Sequence, residues 1–475
     1  MSAENSKRSL ERTTLQISLF LVLLYVTPLI FPLPFASRGE PREALVVQAM
    51  KAQNNLILPL RNGVDIPSKP PLFHWLSLAG AKVANDITES TMRLPSTLAG
   101  LVGIAAVFLF TRKRLGVQSA IFTAMVLGTS VEWLRSSSVA RVDMVFTLFC
   151  ILGTLSLISE WEEFRKTQKF SLLCGARSAL FIAMAVLTKG PAGIVMPWAV
   201  VFFTALLIGD FKLNKQALLK AGSHAALSIL LTVIVSGSWY IAAYKLQGQA
   251  FLNVHFWREN YARVVGLNDV NTGHKGKFYS IFGLLAAGFF PWSCLIPAVA
   301  NKLFKLKKQL TQFENQTTLA MVVWAVLYLL VFGLTASMRT VYLLPSYAAW
   351  TYLLALFIAK PQPNAVAQKA PRSEQVQPEI FTSNDKFSKR AFKFAGFIIG
   401  LSGTALGFTA LVMLYFLFLG NLECGSLPFK IRPAACLQLH TLLELGFPVV
   451  ATLVVGATVL VIVAKQIASQ QLFPA

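Results

Sequence analysis

The chain has 475 residues, of which 55% are hydrophobic and only 13% charged, and its mean hydropathy is +0.60. A soluble protein of this length would carry charge on roughly a quarter of its residues, so a soluble enzyme is excluded. The formal charge of +22 does not indicate nucleic-acid binding. Its Lys and Arg lie mainly in short segments between apolar blocks, as the positive-inside rule produces.

The apolar blocks are long enough to cross ~30 Å of hydrocarbon, and about 12 spans are expected. They cover residues 15–34, 94–110, 119–134, 144–159, 176–187, 193–208, 225–244, 278–300, 319–336, 341–359, 394–420 and 442–464. Lys7, Arg8 and Arg12 precede the first block and no small-residue cleavage site follows it, so it reads as a spanning helix with a cytoplasmic start. The block 176–187 is short. The flanking segments with Arg165, Lys166, Lys169 and Arg177, and with Lys212, Lys215 and Lys220, are both basic. An even number of crossings must separate them, which two short spans turning at Lys189-Gly190-Pro191 supply. The same parity places Arg112-Lys113-Arg114, the run 302–308 and the stretch 360–393 inside, with both termini in the cytoplasm.

Three segments then face outward: 35–93, 245–277 and 421–441. The first is too long for a connector and holds helix-like runs at 41–52 and 72–84. Residues 360–393, rich in Pro, Gln, Ser and charge, read as a cytoplasmic linker. The organisation expected is a transmembrane core over 1–359 with outward loops 35–93 and 245–277, the linker, and C-terminal spans over 394–475 around loop 421–441. Cys424 and Cys436 share that last loop, where a compartment permitting disulfides makes them a candidate bridge. No Cys or His spacing resembles a metal site. The sequence specifies no cofactor, and dependence on a divalent metal stays open.

Four clusters carry the candidate chemistry. In Arg38-Gly39-Glu40-Pro41-Arg42-Glu43, Pro41 suits the first helical position, and the helix dipole favours an ionised Glu40. Glu40 and Glu43 share a face; the plainer alternative makes Glu40 a cap and Glu43 the partner of a neighbouring Arg. In Ile66-Pro67-Ser68-Lys69-Pro70-Pro71 the prolines restrain the backbone about Lys69. That lysine could hold a phosphate as a point charge or snorkel from a helix start. Arg135, Arg141, Asp143 and Arg339 lie beside or within spans, where charge costs about 2.5–3.5 kcal/mol and marks a partner or a pathway. Finally His274-Lys275-Gly276-Lys277, with His255, Arg258 and Glu259 upstream, forms a basic, aromatic-rich segment suited to a lipid head group.

In this order and at these intervals the clusters resemble the polyprenyl-phosphate-sugar transferases that include the aminoarabinose transferase of lipid A and the protein O-mannosyltransferases. The resemblance runs from about residue 15 to residue 359. It rests on the acidic motif at 39–43, the Lys69-Pro70-Pro71 turn, Arg141-x-Asp143, the stretch 274–297 and Tyr342-to-Pro345. It implies an all-α polytopic fold of the GT-C type, with interfacial helices in the first outward loop covering a cavity open to the periplasm. It implies an inverting glycosyltransferase of the bacterial inner membrane, moving a sugar from undecaprenyl phosphate to a lipid, protein or glycan acceptor. The family usually has Asp-Glu where this chain has Gly39-Glu40, so Glu40 is the expected proton acceptor, beside Glu43. Lys69, Arg141, Arg339 and Tyr342 are expected on the donor phosphate, with Arg42, Asp143 and His274 in support. Two other readings fit part of the pattern: a lipid-carrier flippase or transporter, which commonly shows internal repeats not seen here, and a polymerase or ligase using a diphosphate-linked donor.

Overall fold

The computed structural model describes residues 3–356 except 36–38, 210–214, 263–275, 306–309, 311–315 and 336, together with scattered helical residues between 396 and 461. The described residues form helices joined by short turns, with no named strand. Five helices among them are long and apolar enough to cross a membrane, or six if one bent pair counts as a single span. Helical spanning segments are what a bilayer demands, since no water there can satisfy a free N–H or C=O. The expected spans 11 and 12, the linker 360–393, and the pair Cys424 and Cys436 lie outside the described residues, apart from those scattered positions.

Helix α1 (Ala3–Ile30) leads to α2 (Gly39–Ala52) and α3 (Leu72–Ala84), which match the two helix-like runs expected in the first outward segment. α4 (Glu89–Gly128) starts on a capping box in which Thr88 and Thr91 each accept from the other's backbone N–H. It merges two expected spans across a break at Gly116, whose φ of +83° suits a residue without Cβ. The turn expected at Arg112-Lys113-Arg114 therefore contracts into the helix itself. After the short α5 (Val131–Ser137) comes α6 (Val142–Thr167), the central helix, with 83% of its apolar stretch buried.

The hairpin expected from charge parity is present. α7 (Leu172–Lys189) and α8 (Ala192–Ile208) turn at Gly190. α9 (Lys215–Leu252) follows and runs into a π-helical stretch (Asn253–Ala262), so the second outward segment begins as helix rather than loop. Only 22% of the apolar stretch within residues 215–259 is buried.

Two expected spans take other forms. The block 278–300 is not straight. α10 (Ser280–Gly288) and the segment Trp292–Lys305, which holds α11 (Ile296–Lys305), meet at a 117° bend, because the backbone turns through Phe289 to Pro291 before helix resumes. α12 (Gln316–Gly333) matches its span, but 341–346 is wound into 3₁₀ turns and α13 (Tyr347–Ala355) begins only after them.

Lipid tails are as apolar as the helix faces, so packing shape and interhelical hydrogen bonds hold such a bundle together, each bond worth on the order of 1 kcal/mol. Tyr25 donates to the Gly128 carbonyl at 2.9 Å, Thr97 to that of Ser137 at 2.9 Å, and Thr232 to that of Ala179 at 3.2 Å. Trp133, Trp292, Trp324 and Tyr347 are fully buried between the helices.

Candidate active site

The first turn of α2 is anchored by Glu40, which is buried. Its Oε1 accepts from Arg93 Nε at 3.0 Å and from the Ala140 backbone N–H at 2.9 Å. The same guanidinium donates to the carbonyls of Leu33 at 2.6 Å and Pro34 at 3.3 Å. One carboxylate and one guanidinium thus join the end of the first span, α2, α4 and the turn before α6.

One turn further, Glu43 bonds His74 of α3 at 2.9 Å and Arg42 at 3.0 Å. Burial by itself would raise the Glu43 carboxyl. The hydrogen bond from His74 and the positive charges of His74 and Arg42 outweigh that effect and hold it at about 2.

The Lys69 turn is tied to the π-helical stretch. His255 Nε2 donates to the Pro67 carbonyl at 2.8 Å, and Lys69 Nζ donates to Glu259 at 2.8 Å. Trp239 Nε1 fastens the preceding segment through the Ile57 carbonyl at 2.8 Å.

Asp143, in the first turn of α6, is the hub. Lys189 Nζ, at the end of α7, donates to its Oδ1 at 2.6 Å, and Arg141 Nε lies 3.4 Å from Oδ2. The charge of Lys69 also acts on this carboxylate. Lys189 in turn lies over the rings of Tyr342 at 4.9 Å and Phe146 at 5.0 Å. Tyr342 closes a 3₁₀ turn on the Arg339 carbonyl at 3.1 Å, and Arg339 Nε is buried without a hydrogen-bond partner among the described residues. One carboxylate thus faces two cations, an arrangement whose net positive charge suits an anion.

The residues singled out in sequence divide as follows. Arg141, Asp143 and Tyr342 meet around Lys189, the charge of Lys69 acts on Asp143, and Arg339 is tied to Tyr342 through its backbone carbonyl. Glu40, Glu43 and Arg42 form the seam beneath α2, joined to the hub where Gly39 meets Arg141. Arg135 pairs instead with Glu132 through bonds of 2.5 and 3.1 Å. His274 lies outside the described residues. No group of three or more His, Cys, Asp or Glu able to hold a metal occurs among the described residues.

Sequence reading missed Arg93, His74 and Lys189 as partners. Lys189 carried a signal, because parity puts it on the outward side, where a lone lysine at a span end runs against the positive-inside trend.

Residues 68–240 match the family model described as dolichyl-phosphate-mannose-protein mannosyltransferase. An uncharacterized protein of Aquifex aeolicus is 27% identical over 71% of this chain and 63% of its own length. The undecaprenyl phosphate-alpha-4-amino-4-deoxy-L-arabinose arabinosyl transferase of Erwinia tasmaniensis is 25% identical over 72% of this chain and 59% of its own. The chain thus spans less than two thirds of either relative. The crystal structure of ArnT from Cupriavidus metallidurans bound to undecaprenyl phosphate shares the fold, with a TM-score of 0.65 at 18% identity, over 96% of this chain and 76% of that one. In sequence the chain is thus similar over part of its length to protein mannosyltransferases and aminoarabinosyl transferases, and in fold it is similar to ArnT.

Proposed function

We propose that this protein is an inverting glycosyltransferase of the bacterial inner membrane that moves a sugar from a polyprenyl phosphate carrier to an acceptor on the periplasmic side. The observation that carries this reading is the surplus of positive charge around Asp143. Arg141 and Lys189 share its one carboxylate, and Arg339 offers a buried N–H without a partner among the described residues.

In the reaction an acceptor oxygen attacks the anomeric carbon, the bond from that carbon to the phosphate oxygen breaks, and its electron pair leaves with the polyprenyl phosphate. Negative charge grows on the phosphate oxygens. Cations held in place beforehand stabilise it, an effect commonly worth 10²–10³ in rate per donor, roughly 3–4 kcal/mol. Asp143 keeps the Arg141 and Lys189 heads in position, Tyr342 lies under Lys189, and Lys69 would act on the phosphate only by leaving its partner Glu259.

The proton on the acceptor needs a separate account. Glu40, Glu43, Asp143 and Glu259 are each ion-paired in the described structure, and Glu40 is enclosed under α2. This supports a positioning role for Glu40 better than a proton-accepting one. It also favours an acceptor whose attacking oxygen is already anionic, such as a lipid phosphate, which needs no general base.

The test is transfer of labelled sugar by the purified protein, offering monophosphate- and diphosphate-linked undecaprenyl donors beside phosphate-bearing and hydroxyl acceptors. Transfer from the monophosphate donor, lost in Arg339→Ala and Lys189→Met, is expected. Use of diphosphate donors alone, or carrier movement between leaflets with no glycosylated product, would sink the proposal.

A further inference from the structure

A cavity lies toward the other end of α6 from the Asp143 cluster. Its floor is near Glu160 on α6, 17 residues beyond Asp143 and therefore about 25 Å away along the helix. The cavity holds about 250 Å³ between α6, α8 and α9, and its lining is almost wholly apolar. It includes Glu160, Trp161, Phe170, Trp198, Phe202 and His224.

The polar atoms in this wall are incompletely satisfied. Glu160 Oε2 accepts from Ser178 at 3.2 Å and contacts His224 Nε2 at 3.3 Å. Among the described residues its Oε1 is buried without a partner, and so are Trp161 Nε1 and Trp198 Nε1. The Glu160 side chain is only 5% exposed. An acceptor and two donors left open around one apolar space are costly in a lipid-facing protein, unless an occupant answers them. The wall is also rigid, since His224 stacks on Phe170 at 3.9 Å and Phe170 on Phe164 at 4.2 Å. On the lipid side, Phe202 is exposed and a Cβ at Gly222 would meet open space. A chain can therefore enter between α8 and α9.

We propose that this cavity binds an uncharged amphiphile with an apolar chain and one hydroxyl group. The hydroxyl donates to Glu160 Oε1 and accepts from an indole N–H, both through one small neutral group. An ammonium would answer Glu160 but leave both indoles open and place a further charge beside His224. A plain hydrocarbon would answer none of them. This site is separate from the Asp143 cluster and does not depend on the activity proposed for it.

The experiment uses the full chain in lipid nanodiscs and reads quenching of tryptophan fluorescence by probes of equal chain length that carry bromine within reach of the polar end: 6-bromoundecan-1-ol, 6-bromoundecane and 6-bromoundecan-1-amine. Saturable quenching by the alcohol at about tenfold lower concentration than by the other two is expected, and Trp161→Phe/Trp198→Phe should remove it. Glu160→Leu should weaken the alcohol about tenfold. Gly222→Phe, which fills the mouth without touching Glu160, should abolish saturation even if Glu160→Leu folds poorly. Equal quenching by the bromoalkane would reduce the cavity to a lipid crevice and overturn the proposal. Preference for the amine would overturn it in favour of a cation site.

Discussion

The Arg141 guanidinium fills the space that a side chain at residue 39 would take. A Cβ placed on Gly39 would lie 2.9 Å from Arg141 Nη1 and 3.1 Å from its Cζ. The absence of a side chain at 39 and the position of Arg141 beside Asp143 are one feature. It brings the cation at the start of α6 under the N-terminus of α2, at the position where the family resemblance leads one to expect an aspartate.

A carboxylate restored at this position should compete for Arg141. Gly39→Asp is expected to fold, because the group displaced is the free end of a long side chain, yet to draw Arg141 from Asp143 toward the new carboxylate. Apparent donor affinity should fall by about tenfold, consistent with the loss of one charge-assisted hydrogen bond. Donor titrations of purified wild type and variant measure this. Unchanged affinity would separate Arg141 from the donor.

Glu40 is argued to hold α2 in place, and two substitutions divide that role from proton transfer. Glu40→Gln keeps an oxygen for the Ala140 N–H and for Arg93, and should retain transfer within about tenfold. Glu40→Ala leaves Arg93 buried and unpaired, at a cost of about 3–5 kcal/mol, and should lower the unfolding temperature. If Glu40→Gln instead lost 10² or more in rate with its stability intact, within the range typical of general acid–base catalysis, Glu40 would be the base.

Asp143 and Lys189 should behave as a coupled pair. Asp143→Asn leaves Lys189 and Arg141 without their shared counterion and should destabilise the bundle by several kcal/mol, whereas Lys189→Met leaves Asp143 with Arg141 and should cost less. The double variant should recover part of that loss, giving an interaction energy of about 0.5–3 kcal/mol in a double-mutant cycle. Sugar transfer should not recover with it, since Lys189 is assigned to the leaving phosphate. A double variant that regained transfer would remove Lys189 from the chemistry.

The junction of α2 and α3 should be acid-sensitive. Glu43 is lowered from the ordinary 4.5 to about 2 in the folded chain. Its contribution is therefore complete above about pH 4.5, shrinks as pH falls, and is gone below about 2. The size is on the order of 3 kcal/mol at most. Thermal unfolding between pH 6 and 3 should show wild type losing stability faster than Glu43→Gln; parallel curves would refute the assignment.

Composition and periodicity determined that the chain is helical and membrane-spanning, because the length of an apolar block answers directly to the thickness of the bilayer. Charge parity found the α7–α8 hairpin, and Pro41 together with the Lys69-Pro70-Pro71 turn marked where α2 and α3 begin, since these are local signals. The tertiary structure alone decided which charges meet. Glu40 reaches Arg93 across 53 positions, Lys189 reaches Asp143 across 46, and Lys69 reaches Glu259 across 190. The bend between α10 and α11 and the 3₁₀ winding before α13 are likewise choices of packing, since the apolar pattern reads the same in a straight helix and a broken one. A pairing between distant charges leaves no periodic trace in sequence, because either partner alone looks like any charge at a helix end. Only the enclosure of both in one low-dielectric seam, where an unpaired charge is costly, makes each the other's necessary neighbour.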